Sequence, residues 1–386
     1  MVKIPSLNKD IFIYGFGTSG KWLSSNIKGR ISGFIDSDTK KTSLKFNNIP
    51  VYSIKEAKKL INKNTLIIVT VLDIQDVIST VESLSPGKWL PLGRFLNNEK
   101  VINNPLKNED KSYVEYSLKA VESCHKSYFS TKKLFLKSID IIITERCSLK
   151  CKDCSNLMQY YVNPINVSFN EILNDFETLI KNVDHIYEIR LIGGEPFMNK
   201  DIYKIIKEIS KNKKLSRIVI YTNATIPLKE EYIDILKHSK IVFSVTTYGK
   251  LSRNTQKVID FLKKNKIPYR DHPPENWTDC GVIYDFKRKE SEMEKLFEDC
   301  CGKNLLTVTN GKLYRCPFVA NTERLNAIPK DSNNYVNIND SKKNIKKYTT
   351  QINYIPACNY CMGRSYNAPK IKPAIQTKKP LDYKTY

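Results

Sequence analysis

Three cysteines stand close together in the middle of this chain, and their spacing predicts chemistry more directly than any other feature. Cys147, Cys151 and Cys154 form the pattern C-x3-C-x2-C. Three thiolates at this spacing can bind one face of a cubane iron–sulfur cluster and leave the fourth iron open to another molecule. The alternatives are a zinc site or three unrelated buried cysteines. Zinc requires four ligands in a structural site, and the nearest downstream histidine is His185.

A second group of cysteines surrounds a predicted hairpin in the last third of the chain. Alternating strands over residues 305–309 and 312–315 flank Asn310-Gly311, a pair that favours a type I′ turn. Cysteines precede and follow this hairpin, and a C-x2-C pair begins 42 positions after the second of them. The four are Cys301, Cys316, Cys358 and Cys361, with Cys300 as an alternative to Cys301. A structural zinc site with four thiolates is one interpretation of this group.

A glycine-rich segment near the amino terminus matches the pattern of dinucleotide-binding turns. Gly15, Gly17 and Gly20 form G-x-G-x2-G after an apolar run, and Asp36 follows 21 positions after Gly15. Glycines allow a tight turn and a close phosphate approach, while the following helix attracts an anion with its amino terminus. The segment predicts a nucleotide in the N-terminal domain; the alternative is a packing scaffold without a ligand.

Alternating strand and helix patterns must position these residues, and they predict an α/β protein with parallel sheets. Residues 1–97 are expected to form a Rossmann-like doubly wound sheet, followed over 98–135 by a linker with one helix. Residues 136–290 are expected to form a partial (β/α)6-type barrel with functional loops at the carboxyl ends of its strands. Residues 291–386 are expected to form a small extension with the cysteine hairpin and a basic tail.

The three-cysteine loop after the first barrel strand resembles that of the radical S-adenosylmethionine (SAM) superfamily. The resemblance implies a [4Fe–4S] cluster with an open iron that reductively cleaves SAM to a 5′-deoxyadenosyl radical. It also implies reduction by a flavodoxin- or ferredoxin-like donor. One residue departs from the family, because Asp153 stands where many members carry an aromatic side chain near the adenine.

Further motifs strengthen this resemblance. Gly193-Gly194-Glu195-Pro196 is similar to the family's GGEP motif, which implies that the glycines let the backbone approach the methionine amino group while Glu195 accepts from it. Tyr221-Thr222-Asn223 resembles a TNG element with Ala224 in place of the glycine, and Ser244 is a candidate partner of the SAM carboxylate. Tyr248, Lys250 and Arg270 are candidates for proton transfer, although the sequence identifies no catalytic acid or base.

The second cysteine group resembles the Twitch variant of SPASM extensions. The resemblance implies an auxiliary [4Fe–4S] cluster held by Cys301, Cys316, Cys358 and Cys361, with no open site. The N-terminal segment resembles Rossmann-like domains of bacterial polysaccharide biosynthesis. Together they predict hydrogen-atom abstraction from an anionic carbohydrate or nucleotide-linked sugar, giving dehydrogenation or epimerisation.

Composition limits the setting of this chemistry. The chain has 386 residues and a formal net charge of +23, and residues 341–386 hold ten Lys or Arg and one Asp. This excess charge indicates either a solvated surface or attraction of an anionic partner. Aromatic residues do not alternate with the basic ones as in a nucleic-acid groove, so nucleic acid is not the expected partner. With neither a signal peptide nor a transmembrane segment in the pattern, a cytoplasmic location is expected.

Two other functions compete with this interpretation. One is a SPASM-type peptide-modifying maturase, which usually recognises a leader peptide through a small winged-helix module. The other is a non-enzymatic, zinc-stabilised protein that binds anions or nucleic acid. Iron with sulfide in the purified protein would exclude the second.

Overall fold

The computed structural model describes residues 9–97, 101, 104–107, 109, 111–130, 132–273, 276–365 and 368–383. The chain divides into two compact units, Met1–Lys133 and Leu134–Tyr386. Both contain largely parallel sheets with helices between successive strands, so the predicted α/β fold class is confirmed.

The first unit is a six-stranded sheet with strand order β3-β4-β2-β1-β5-β6. All neighbours are parallel except the β3–β4 pair, which is antiparallel. Its strands are β1 (Asp10–Tyr14), β2 (Ile31–Ile35), β3 (Lys45–Phe46), β4 (Ile49–Tyr52), β5 (Thr65–Val69) and β6 (Lys88–Pro91). Its helices are α1 (Thr18–Asn26), α2 (Ile54–Leu60), α3 (Ile78–Ser83) and α4 (Lys111–Tyr128).

Successive residues of β1 point to opposite faces of this sheet, and each face is covered by helices. Ile11 and Ile13 pack in a core with residues of α1 and α4. Phe12 and Tyr14 pack in a second core with residues of α2 and α3. The five parallel strands therefore lie in the order β4-β2-β1-β5-β6. Counted among themselves in chain order, this is the doubly wound order 3-2-1-4-5, with a crossover on each face.

The helix expected within residues 98–135 is α4. It packs on the sheet of the first unit through Val114, Leu118 and Val121, which are almost fully buried. The apolar side chains recur at helical spacing, so the helix completes one face of the first unit. His125 on α4 adds two hydrogen bonds, from the Gly93 amide to Nδ1 at 3.0 Å and between Nε2 and the Val71 carbonyl at 2.6 Å.

The second unit contains an eight-stranded sheet with strand order β11-β10-β9-β8-β7-β13-β14-β15, and a separate two-stranded pair, β12 and β16. Its strands are β7 (Phe135–Thr144), β8 (His185–Gly193), β9 (Leu215–Thr222), β10 (Ile241–Thr246), β11 (Tyr269–His272), β12 (Trp277–Thr278), β13 (Leu306–Thr309), β14 (Lys312–Tyr314), β15 (Tyr335–Asn337) and β16 (Lys370–Ile371). Its helices are α5 (Phe169–Asn182), α6 (Ile202–Ser210), α7 (Ile233–Leu236), α8 (Thr255–Lys264), α9 (Glu290–Glu298), α10 (Pro317–Arg324) and α11 (Lys342–Thr350).

Strands β7 to β11 are parallel and in chain order, and their outward side chains form one core with the intervening helices. The predicted Asn-Gly hairpin is confirmed, since Asn310 and Gly311 both have positive φ, at 53° and 72°. The hairpin is hydrogen-bonded to the main sheet. Its first strand, β13, pairs in parallel with β7, so the sheet continues into the cysteine-rich region.

No helix in the described part of the chain combines the length and hydropathy needed to cross a bilayer.

Candidate active site at the carboxyl ends of the strands

The three-cysteine loop begins directly after β7, and the structure brings its thiols together. Cys147, Cys151 and Cys154 pack around Leu149 and are close enough to interact electrostatically. Burial raises the pKa of all three thiols, to about 11 for Cys151. These groups are therefore protonated when free, and binding of iron would displace the protons.

The surroundings of these sulfur atoms suit an iron–sulfur cluster. The backbone amides of Asn156 and Met158 donate to the Cys154 sulfur, and the Leu149 amide donates to Cys147. Such N–H donors stabilise thiolate ligands, and they are among the features that set cluster potentials. Among the described residues, no three His, Cys, Asp or Glu side chains lie close enough together to bind one metal ion. In a cubane cluster each thiolate binds a different iron.

The Gly193-Gly194 turn lies against the chain that leads into the cysteine loop. The Gly194 amide donates to the Thr144 carbonyl at 2.9 Å. A Cβ on Gly193, whose φ is +131°, would lie 2.0 Å from the Thr144 carbonyl oxygen, and one on Gly194 would lie 2.0 Å from the Arg146 oxygen. The glycines are thus required for the close approach of two backbone segments, a role that the sequence motif did not reveal.

Glu195 is buried, with 1% of its surface exposed. Its carboxylate accepts hydrogen bonds from the Thr222 hydroxyl at 2.9 Å and the Asn223 amide at 2.8 Å. Burial raises the pKa of Glu195 to about 7, although these donors favour the carboxylate. The side chain joins the ends of β8 and β9, so it holds Asn223 in place as well as being a candidate acceptor for SAM.

Asn223 connects the end of β9 to the cysteine loop. Its Nδ2 donates to the Ser148 hydroxyl at 3.2 Å and lies 3.8 Å from the Cys147 sulfur. Its Oδ1 accepts from the Thr225 amide at 3.0 Å. The next residue, Ala224, has φ of +54°, which is the conformation that favours glycine and explains why the related element carries one there.

The inner face of β7 to β10 holds a row of polar residues, of which Asp140 and Arg190 are not part of any sequence motif. Arg190 on β8 forms an ion pair with buried Asp140 on β7, and its guanidinium carbon lies 5.8 Å from the ring centroid of Tyr221 on β9. Tyr221 is 38% exposed although β9 has neighbours on both sides, so the space in front of it is open. Ser244 lies on the same face of β10, with Oγ 3.2 Å from His272 Nε2. The sequence signal for this polar face was a charged residue inside an apolar strand, Asp140 in β7 and Arg190 in β8.

The candidates for proton transfer lie in different surroundings. Tyr248 packs against the cysteine loop, with its ring 5.9 Å from that of Trp277, and burial raises its pKa. Lys250 and Arg270 are exposed. The structure thus brings Tyr248 to the candidate site and leaves the other two at the surface.

The second cysteine group assembles around Cys300. This residue interacts electrostatically with Cys316, Cys358 and Cys361, and burial raises the pKa of these three thiols, to about 12 for Cys316 and about 11 for Cys358. The Gly302 and Gly363 amides donate to the sulfurs of Cys300 and Cys361, both at 3.3 Å.

Cys301 has different neighbours from Cys300. It interacts with the cation of Arg364, with Cys300 and with Lys370. Arg364 is also near Cys280, which interacts with both Cys154 and Cys301. Cys300 therefore has the other three cysteines among its neighbours, whereas Cys301 has the cations of Arg364 and Lys370.

The glycine-rich turn of the first unit follows β1. Gly15 has φ of +110°, and a Cβ on Gly20 would lie 2.1 Å from the Gly15 carbonyl oxygen. By contrast, a Cβ on Gly17 would have no atom within 4 Å. Two of the three glycines are therefore required by the fold, and only Gly17 faces open space.

Asp36 accepts a hydrogen bond from this turn. One carboxylate oxygen accepts from the Phe16 amide at 2.8 Å, and the other accepts from the Asp38 amide at 3.0 Å. Lys41 Nζ lies 3.3 Å away. At the amino terminus of α1, the Thr18 hydroxyl donates to the Glu109 carboxylate at 2.7 Å. The predicted nucleotide-binding acid is thus already occupied by protein donors.

Comparison with known proteins gives a family match within the second unit. Residues 141–269 match the Radical SAM superfamily. A GTP 3',8-cyclase of Clostridium acetobutylicum is 31% identical over 143 residues, which are 34% of this chain and 44% of that protein. Molybdenum cofactor biosynthesis protein 1 of Dictyostelium discoideum is 35% identical over 86 residues, 22% of this chain and 13% of that protein. The chain spans less than half the length of these curated relatives.

Two solved structures are similar to part of this chain. BtrN in complex with AdoMet and 2-DOIA has a TM-score of 0.40 at 16% identity, covering 56% of this chain and 83% of that chain. Streptococcus suis SuiB bound to S-adenosylmethionine has a TM-score of 0.32 at 13% identity, covering 65% of this chain and 78% of that chain.

The family match covers the segment that contains the cysteine loop, the Gly-Gly-Glu turn and the strand ends around them. It supports a [4Fe–4S] cluster and S-adenosylmethionine as cofactors, and the donor set around Cys147, Cys151 and Cys154 fits such a cluster. Residues 141–269 are therefore similar to the Radical SAM superfamily, and the cysteine loop lies within them.

Proposed function

We propose that the chain is a radical SAM enzyme that abstracts a hydrogen atom from a polar, anionic small molecule. The observation that carries this proposal is the open polar face at Arg190 and Tyr221, one residue before the strand end that leads through Asn223 to the cysteine loop. The cluster, when bound, supplies the electron that cleaves SAM to methionine and the 5′-deoxyadenosyl radical.

The chain's own residues have separate tasks in this proposal. Cys147, Cys151 and Cys154 hold the cluster. Gly193, Gly194 and Glu195 form the wall at the methionine end, and Asn223 and Ser244 contribute polar groups from the next two strand ends. Apolar residues behind the strands exclude water from the rest of the unit.

The polar face is suited to a sugar or nucleotide-linked substrate. Arg190 offers N–H donors on a cation that Asp140 fixes in place, which suits phosphate or carboxylate recognition. Tyr221 can exchange hydrogen bonds with a hydroxyl group. The proposed outcome is dehydrogenation or epimerisation. The polysaccharide context implied by the sequence resemblance stays a prediction.

A second candidate function is radical cyclisation of a purine nucleotide. It is favoured by the similarity to GTP 3',8-cyclases over part of the domain. A test incubates the reduced enzyme with SAM and either GTP or a panel of nucleotide sugars. Substrate-dependent 5′-deoxyadenosine with one class, and deuterium transfer from labelled substrate into 5′-deoxyadenosine, would decide between the two.

The main experiment is anaerobic reconstitution followed by assay of SAM cleavage. We expect about eight irons and about eight sulfides per chain, with Cys151→Ala abolishing 5′-deoxyadenosine formation. Arg190→Lys keeps the charge that pairs with Asp140 but loses the planar donor set, so it should preserve uncoupled SAM cleavage and reduce substrate turnover. Stoichiometric zinc without iron in anaerobically purified protein would overturn the proposal.

We further propose that the second cysteine group holds an auxiliary [4Fe–4S] cluster with Cys300 as its fourth ligand. Its proximity to Cys316, Cys358 and Cys361 supports this choice. Cys300→Ser should lower the iron content by about half, whereas Cys301→Ser should leave it unchanged. The reverse result would restore the ligand set predicted from sequence.

A further inference from the structure

The basic C-terminal segment folds back over the three-cysteine loop instead of extending into solvent. We call residues 369–383 the C-terminal strap. It begins with β16, which pairs antiparallel with β12. It then meets residues 150–152, where the Lys152 amide donates to the Ile375 carbonyl and the Thr377 amide donates to the Lys150 carbonyl, both at 2.7 Å.

The strap is fixed at several other points. Ala374 is 6% exposed and packs with Leu149 and Cys151. Farther along, the Leu381 amide donates to the Gln159 carbonyl at 2.8 Å, and the Tyr383 hydroxyl donates to the Leu325 carbonyl at 2.8 Å. Contacts before and after the cysteine loop thus hold the strap across it.

Gln376 occupies the centre of this contact, opposite Cys151. Its Oε1 accepts from the Lys150 amide at 2.8 Å, which only the oxygen can do. The side-chain nitrogen must therefore face the other way, where Nε2 lies 3.2 Å from the Cys151 sulfur and 2.9 Å from the Ala374 carbonyl. Both N–H groups have an acceptor, so the backbone fixes the orientation of the amide.

We propose that Gln376 is a positioning residue that stabilises the Cys151 thiolate through an N–H···S hydrogen bond, while the strap holds the cysteine loop in its ligating conformation. This inference rests on the proposed iron–sulfur cluster at that loop. A hydrogen bond to a ligand sulfur stabilises the more negative, reduced cluster, so it raises the reduction potential. The strap thereby favours the electron uptake on which SAM cleavage depends.

The test compares two variants that each lower the net charge by one. Gln376→Glu keeps an oxygen for the Lys150 amide but replaces the sulfur-facing donor with a carboxylate oxygen. Lys379→Gln removes an exposed charge from the same strap and leaves the hydrogen bond intact. Each full-length protein is reconstituted anaerobically and titrated with a redox buffer, and the cluster whose EPR signal changes on SAM addition is followed.

At a fixed potential, Gln376→Glu should lower the ratio of reduced to oxidised SAM-responsive cluster about tenfold, whereas Lys379→Gln should match the wild type. Iron removal by a chelator should also be faster in Gln376→Glu. If that variant does not load iron, Gln376→Met keeps the length and lacks the donor, and the same shift is expected. Equal potentials for a loaded Gln376 variant and Lys379→Gln would overturn the inference. Absence of any SAM-responsive cluster in the wild type would instead overturn the proposed function.

Discussion

Two glycine turns, each at the carboxyl end of a parallel strand, use their glycines differently. In the second unit, Gly193 and Gly194 would each place a Cβ 2.0 Å from a backbone oxygen. In the first unit, a Cβ on Gly20 would lie 2.1 Å from the Gly15 carbonyl oxygen and one on Gly15 would lie 2.8 Å from the Thr70 hydroxyl oxygen, but Gly17 has no neighbour within 4 Å. A sequence motif alone therefore does not distinguish a glycine required for backbone packing from one that leaves room for a ligand.

The largest effect is expected from Gly194→Ala. The added methyl group would overlap the Arg146 carbonyl and displace the chain that enters the cysteine loop. We expect a loss of at least about 3 kcal/mol in the free energy of unfolding and loss of the first cluster's iron. Thermal unfolding and iron analysis measure both. Gly249→Ala is the control, because its Cβ site is open and only its positive φ adds a cost of about 1–2 kcal/mol. A Gly194→Ala protein with the wild-type iron content would show that Gly194 is not required for backbone packing at the cysteine loop.

Acid is expected to act on the first unit through His125. Burial lowers the pKa of His125 to about 4 from its ordinary value of 6.5, against the raising effects of the Val71 carbonyl and Asp73. Because the unfolded chain binds this proton more readily, the stabilisation is complete above pH 6.5 and is lost as the pH falls towards 4. The full effect is roughly 3 kcal/mol. Urea unfolding across this range measures it, and His125→Gln should lack this component; an unchanged pH profile in that variant would contradict the assignment.

A smaller and more selective effect is expected from Gly17→Val. Since no atom occupies the Cβ site, the variant should fold with a stability within about 1 kcal/mol of the wild type. If this turn binds a phosphate group, the branched side chain should weaken nucleotide binding at least tenfold, as measured by calorimetry. Gly17→Ser is the matched control, because serine is small and is a preferred residue at the start of a helix.

Substitutions at Gly20 and Gly17 distinguish a packing role from a binding role in this turn. Gly20→Ala should destabilise the first unit, because its Cβ would lie 2.1 Å from the Gly15 oxygen. Unchanged nucleotide binding in a folded Gly17→Val protein would instead identify the turn as a packing scaffold.

The smallest effect is expected from Ala224→Gly. Glycine would relieve the positive φ of +54°, which costs an alanine about 1–2 kcal/mol. The same change removes a fully buried methyl group, which costs roughly 1 kcal/mol, and increases the entropy of the unfolded chain. These effects nearly cancel, so denaturant midpoints should agree closely. A stabilisation of more than about 2 kcal/mol would show that the backbone strain had been underestimated.

Several elements of the site were predictable because they depend on neighbours in sequence. The C-x3-C-x2-C loop after a strand, the Asn-Gly hairpin and the alternation of strands and helices in the first unit all follow from local spacing and periodicity. The pairing of Asp140 with Arg190 was not predictable, because they lie 50 positions apart and meet only through the parallel register of β7 and β8. The choice between Cys300 and Cys301 likewise depends on which side of the segment faces the other three cysteines.

The sequence by itself determined the α/β class, the position of the three-cysteine loop and the type of turn in the hairpin. Tertiary structure decided that the hairpin joins β7, that α4 belongs to the first unit and that Gln376 reaches Cys151 across 225 positions. The physical reason is the range of the interactions. Turns and helical periodicity are set by adjacent residues, whereas strand pairing, burial and contacts between distant segments depend on the folding of the whole chain.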